Sequence, residues 1–175
     1  MTSVTSQFDD LFDILAEQAG GVFAEHGSEG RGAVEHDPER SLVVVSIGFG
    51  GRDLRGAITL AARGDVFESL APAAIDRPLD TALLVDFAGE LCNLVMGRFR
   101  NALLRRNIEV ACGTPTAVRG TMTELVCLLA QRSEWRSLAT ATGEIRVRLD
   151  ASFREGFVLT SDVMGLEPVV TDMFF

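Results

Sequence analysis

The chain has 175 residues, 47% of them hydrophobic, and a formal net charge of −9. That length and content suit one globular domain with a sizeable core. Sixteen basic residues against twenty-five acidic ones argue against nonspecific nucleic-acid binding, which needs a basic surface, and no apolar run is long enough to span a bilayer.

The opening "MTSVTSQFDD" lacks the pattern of a signal peptide, so a cytoplasmic chain with no membrane association is expected. Phe8, Leu11, Phe12, Leu15, Ala19, Val22 and Phe23 then recur at helical spacing, predicting an amphipathic helix from Thr5 to about Glu25. Gly27 to Arg40 is polar and Gly-rich and reads as a loop. "SLVVVSIGF" (Ser41 to Phe49) and "LRGAITLAA" (Leu54 to Ala62) flank "GGRD" and predict an antiparallel hairpin. Its glycines follow turn chemistry rather than a phosphate-binding loop.

A short helix is predicted over Gly64 to Leu70, ended by Pro72. Pro78 precedes a long helix from Asp80 to Arg106. Ile108 to Cys112 reads as a short strand, and "GTPTAVRG" as a loop leading into more extended chain. Thr121 to Arg132 fits helix or strand equally. "EWRSLATA" and "EIRVRLD" predict a closing hairpin, in which Ile145, Val147 and Leu149 form a buried face and Arg146 and Arg148 a charged one. From Glu155 onward the chain is mixed and ends in apolar "VVTDMFF", suited to packing on the domain, on a sheet edge or on a second subunit. Helices and antiparallel strands are grouped rather than alternating, which predicts an α+β fold.

Cys92, Cys112 and Cys127 show no paired spacing and sit in apolar settings, so buried free thiols are expected. The two histidines, His26 and His36, lie in a polar stretch, which supports neither thiol catalysis nor a metal site.

The functional signal lies in "DFAGELCNLVMGRFRN" (Asp86 to Asn101). At 100° per residue, with Asp86 at zero, Glu90 falls near about 40°, Asn93 near about −20° and Gly97 near about 20°. Leu84, Phe87, Leu91, Leu94, Val95 and Ala102 lie on the other side and should pack on the sheet. A solvated face would account for a lone E-x-x-N. Against that, Asn is a mediocre helix former, and Gly89 and Gly97 each cost about 1 kcal/mol relative to alanine. Small residues beside a carboxylate and an amide admit another molecule; Gly97 equally suits close packing of another helix.

The spacing Asp86-x3-Glu90-x2-Asn93, followed by twenty-one residues and Pro115 in "CGTPTAVRG", resembles the signature of the CheC/CheX/FliY family of chemotaxis phosphatases, CheX most of all. The likeness spans residues 1 to about 152 as one domain and leaves 153–175 as a C-terminal tail. It implies two long helices packed on an antiparallel sheet assembly, and a protein aspartyl-phosphate phosphatase acting on a phosphorylated CheY-like receiver. By resemblance, Glu90 and Asn93 are the catalytic pair. Asn93 orients the attacking water and Glu90 pairs with the receiver's lysine. Asp86 assists Glu90 or sets the local charge, Gly97 keeps the ridge open and Pro115 shapes a nearby loop. The protein needs no cofactor of its own, since Mg²⁺ comes with the receiver. A homodimer through strand exchange or sheet continuation is also implied. The alternative is a non-catalytic receiver-binding or flagellar-switch adaptor, or a phosphatase for a receiver other than CheY. A second frame, Asp13-x3-Glu17-x2-Gly20, has glycine in place of the amide and Leu42 in place of the proline. Whether coincidence or degenerate duplicate, it leaves a single expected site.

Overall fold

A computed structural model describes residues 4–30, 41–73, 79–120 and 130–160. Helix α1 (Val4–Glu29) leads into strands β1 (Leu42–Gly51) and β2 (Leu54–Arg63) and a short helix α2 (Gly64–Ser69). Helix α3 (Thr81–Leu104) follows, then β3 (Val110–Cys112), β4 (Thr116–Gly120), β5 (Arg132–Thr140) and β6 (Gly143–Phe153). The predicted α+β class holds: one six-stranded antiparallel sheet runs β3-β1-β2-β6-β5, with β4 also paired to β1.

The helical periodicity places one face of each long helix in a single core. Phe8, Phe12 and Leu15 of α1 and Leu91, Val95 and Phe99 of α3 are fully buried. They meet Val43, Val45, Ile47 and Phe49 of β1 and Ile145, Val147 and Leu149 of β6, alternate residues that share one face of the sheet. Phe49 and Phe99 pack edge to face, with ring centroids 5.9 Å apart. Burying each such side chain contributes about 1.5–3 kcal/mol.

Helix α1 runs one turn beyond its predicted end near Glu25. His26 packs its ring against Phe87 of α3, and Glu25 pairs with Arg98 of α3, so tertiary contacts extend the helix into polar sequence. The Arg98 guanidinium holds the Glu25 carboxyl below the usual carboxylate range. At the other end of the layer, Arg132 and Arg136 of β5 reach Asp9 and Asp13 of α1 and stack over the Phe8 and Phe12 rings at 4.6 and 4.2 Å. The charged face of β6 divides. Arg146 is exposed, while Arg148 is buried and donates to Asp150, itself almost wholly buried.

"GTPTAVRG" is not a loop. Residues 116–120 form β4 against Leu42–Ser46 of β1, while β3 pairs with Phe49–Gly51. Between these registers, Ile47 and Gly48 of β1 face three residues, Gly113, Thr114 and Pro115. The extra residue is a bulge in an otherwise continuous edge. Gly113 N–H still donates to the Gly48 carbonyl at 2.9 Å, and Pro115 has no N–H to give.

After β6, Phe157 stacks on Phe153, Leu159 N–H donates to Gln7 Oε1 at 3.0 Å, and the Thr160 hydroxyl donates to the Arg106 carbonyl at 3.2 Å. His36, Pro78, Cys127, most of the ambiguous Thr121 to Arg132 stretch and the "VVTDMFF" end lie outside the described residues.

Gly56 is fixed by close strand approach. A Cβ on Gly56 would sit 1.8 Å from the Asp150 carbonyl oxygen of β6. Gly56→Ala is expected to cost roughly 1–3 kcal/mol as the backbone is displaced. Thermal unfolding beside wild type, with a lower Tm for the variant, checks this.

Candidate functional site on helix α3

Asp80 starts α3: its side chain accepts from Leu83 N–H at 3.0 Å. The helix ends in a Schellman arrangement. Asn107 adopts a positive φ of 61°, its N–H donates to the Leu104 carbonyl, and Ile108 N–H donates to Leu103 at 3.0 Å. Asparagine tolerates this backbone better than other non-glycine residues. The stop turns the chain into β3 beside the helix.

Between these ends the two faces separate. Leu84, Leu91, Val95 and Ala102 are buried, and Phe87 and Leu94 are half-buried. Asp86, Glu90, Asn93 and Gly97 are all exposed on the opposite ridge. Asp86, Glu90 and Asn93 make no side-chain hydrogen bond or ion pair among the described residues. The ridge therefore presents two carboxylates and an amide with free hydrogen-bonding capacity.

The two glycines have different settings. A Cβ on Gly97 would meet nothing within 4 Å, so no helix of the described chain packs there. Gly89 is buried instead, and a Cβ there would lie 3.9 Å from Pro115 Cγ. The bulge thus lays Pro115, half-buried, along α3 one residue before Glu90. Pro115 is brought to the ridge by a strand irregularity rather than by a loop.

The frame on α1 has a different environment. Asp13 is engaged by Arg136, Glu17 is exposed and Gly20 contributes no side chain. The expectation of buried thiols holds for Cys92, whose burial pushes its thiol up to about 12. It fails for Cys112, which is exposed on β3, the outermost strand of the sheet. Partial burial still raises the Cys112 thiol, offset in part by the charge of Arg100. Among the described residues no helix is long and apolar enough to cross a membrane.

Sequence reasoning stopped one step short on this helix. Arg100 is exposed and lies at about −40° from Asp86 on the same ridge. Continuing the helical arithmetic past Gly97 would have found it.

The family model "Chemotaxis phosphatase CheX" matches residues 43–134, just over half of the chain. The chain belongs to the CheX family. The matched stretch holds the whole ridge, the bulge and Pro115. The fold resembles the crystal structure of chemotaxis protein CheX from Vibrio vulnificus at a TM-score of 0.64 and 14% identity, covering 81% of this chain and 96% of that one. A CheC-like superfamily protein from Shewanella sp. PV-4 gives 0.65 and 16%, covering 86% and 99%. CheX in the CheX–CheY–BeF3–Mg²⁺ complex from Borrelia burgdorferi gives 0.61 and 14%, covering 80% and 96%. A search of curated proteins finds no significant match.

The open space at Gly97 separates its two readings. Gly97→Ala should stabilise α3 by up to about 1 kcal/mol, because alanine is the better helix former and nothing in the described chain obstructs it. A rise in Tm accompanied by weaker function would assign the glycine to an incoming partner. A fall in Tm would contradict the open setting.

Proposed function

We propose that this CheX-family chain is a phosphatase for the aspartyl phosphate of a CheY-type receiver domain, with Glu90 and Asn93 as its working pair. The observation that carries this reading is the exposed, unengaged ridge of Asp86, Glu90, Asn93 and Gly97 within a family described as chemotaxis phosphatases. A relative at 14% identity has been crystallised with CheY, BeF3 and Mg²⁺, which supports a receiver as the partner.

The chemistry suits an amide. An aspartyl phosphate is a mixed anhydride and already labile. The receiver brings its own Mg²⁺ and lysine to neutralise the phosphoryl oxygens. The missing component is a water held in line with the phosphorus–oxygen bond to aspartate. The Asn93 carbonyl oxygen accepts a hydrogen bond from that water and aims its lone pair at phosphorus. The new P–O bond forms as the P–O bond to aspartate breaks. The carboxylate leaves with its electron pair, and the water's protons pass to phosphate and solvent. No strong base is needed, because positioning and electrostatics dominate phosphoryl transfer. Glu90, one helical turn before Asn93, pairs with the receiver's lysine and fixes the approach of the amide. Asp86 adds negative charge beside Glu90. Pro115, on the strand bulge near Gly89, shapes the surface beside this turn of the helix.

A ridge suits a target that is itself a cleft. The rigid helix projects two side chains three residues apart, and the sheet behind it resists recoil.

Phosphate release from a phosphorylated receiver tests the reading. Asn93→Ala should lower kcat by about 10²-fold or more while binding persists, the scale expected for losing a positioned water. Glu90→Ala should weaken binding to the receiver as well as turnover. Unchanged turnover in Asn93→Ala would sink the mechanism, and binding without turnover in wild type would make the chain an adaptor.

A further inference from the structure

Arg100 lies seven residues beyond Asn93, about −20° around the helix and about 10.5 Å along it. It is exposed, and among the described residues it makes no hydrogen bond or ion pair. Arg98, Arg132, Arg136 and Arg148, by contrast, are each paired with a carboxylate. Gly97 stands between Asn93 and Arg100 with open space above it. A body resting on Asn93 therefore meets no side chain of the ridge before it reaches Arg100.

Beyond Arg100 the surface falls into a cleft of about 580 Å³ where α3, the β1–β2 turn and β3 converge. Leu104, Ile108 and Val110 line it with apolar surface, and Arg52, Arg100 and Glu109 supply its charges. Two arginines against one carboxylate make this mouth positive in a chain whose net charge is −9.

We infer that this cleft is a second docking point for the same receiver domain, holding an apolar side chain flanked by a carboxylate, with Arg100 as its charged anchor. The inference rests on the proposed phosphatase reading and identifies what sets affinity in it. Continuity along one ridge puts the cleft beneath any partner that covers Asn93. Charge favours a receiver, because a domain that holds Mg²⁺ does so with carboxylates, and a partner bearing carboxylates complements the positive mouth. Arg100 is a positioning residue: two turns from the amide, it acts on binding and not on the attacking water.

The test measures receiver binding and turnover for wild type, Arg100→Glu and Leu104→Gln. Arg100 is exposed and Leu104 half-buried, so both variants should stay folded, with at most a small fall in Tm for Leu104→Gln. Affinity for a beryllofluoride-activated receiver should fall about fivefold in each, the upper range for an exposed charge pair or a modest apolar contact, and KM should rise in parallel. kcat should stay within about twofold, because the interaction is present in ground and transition states alike. Wild-type binding should weaken with added salt, and Arg100→Glu should reduce that dependence to what the Glu90 pair contributes. Unchanged affinity in both variants would overturn the inference. So would a changed sedimentation coefficient with unchanged affinity, which would place a second copy of this chain in the cleft. Wild type that binds the receiver without turning it over would fail the phosphatase reading, while the affinity comparison would still decide the inference.

Discussion

The structure depends on one helix packing on one side only. Burial of Leu91, Val95 and Phe99 of α3 against β1 and α1 fixes the rotation of that helix. Once the rotation is fixed, the positions of Asp86, Glu90, Asn93 and Gly97 follow from 3.6 residues per turn. The core thus sets the geometry of the site. Cavities left by truncating such buried residues cost several kcal/mol, and a helix that rolled to fill them would also turn its ridge.

The sheet contributes through a single irregularity. Strands β3 and β4 form one broken edge beside β1, and the extra residue between them places Pro115 near Gly89. Flanking contacts complete the frame: Glu25 with Arg98 and His26 with Phe87 tie α1 to α3, while Arg132 and Arg136 tie α1 to β5. These arginines engage Asp9, Asp13 and Glu25 of α1. Asp86 and Glu90 of α3 have no ion pair among the described residues.

Much of this was legible in the sequence because hydrophobic period tracks burial. Both long helices, the β1–β2 hairpin and the closing hairpin follow from periods of 3.6 and two. Three features were not legible for identifiable reasons. Gly113-Thr114-Pro115 has turn composition, and only pairing with β1 makes it a bulge within a strand. The last turn of α1 is polar and is held by α3, which no local pattern reports. Cys112 sits among apolar neighbours in sequence but on the outermost strand in space, so local composition misjudged its exposure. At the ridge, the match to a known spacing ended the reading at Gly97, although Arg100 continues the same arc.

The measurement that bears most directly on the central claim is a structure of this chain bound to a beryllofluoride-activated CheY-type receiver. The proposed mechanism requires α3 against the receiver's phosphorylation pocket, with the Asn93 amide at about 2.6–3.2 Å from a water in line with the bond from beryllium to the aspartate oxygen, and the Glu90 carboxylate on the receiver's lysine. A complex in which the receiver contacts another face and leaves Asn93 in solvent would contradict it.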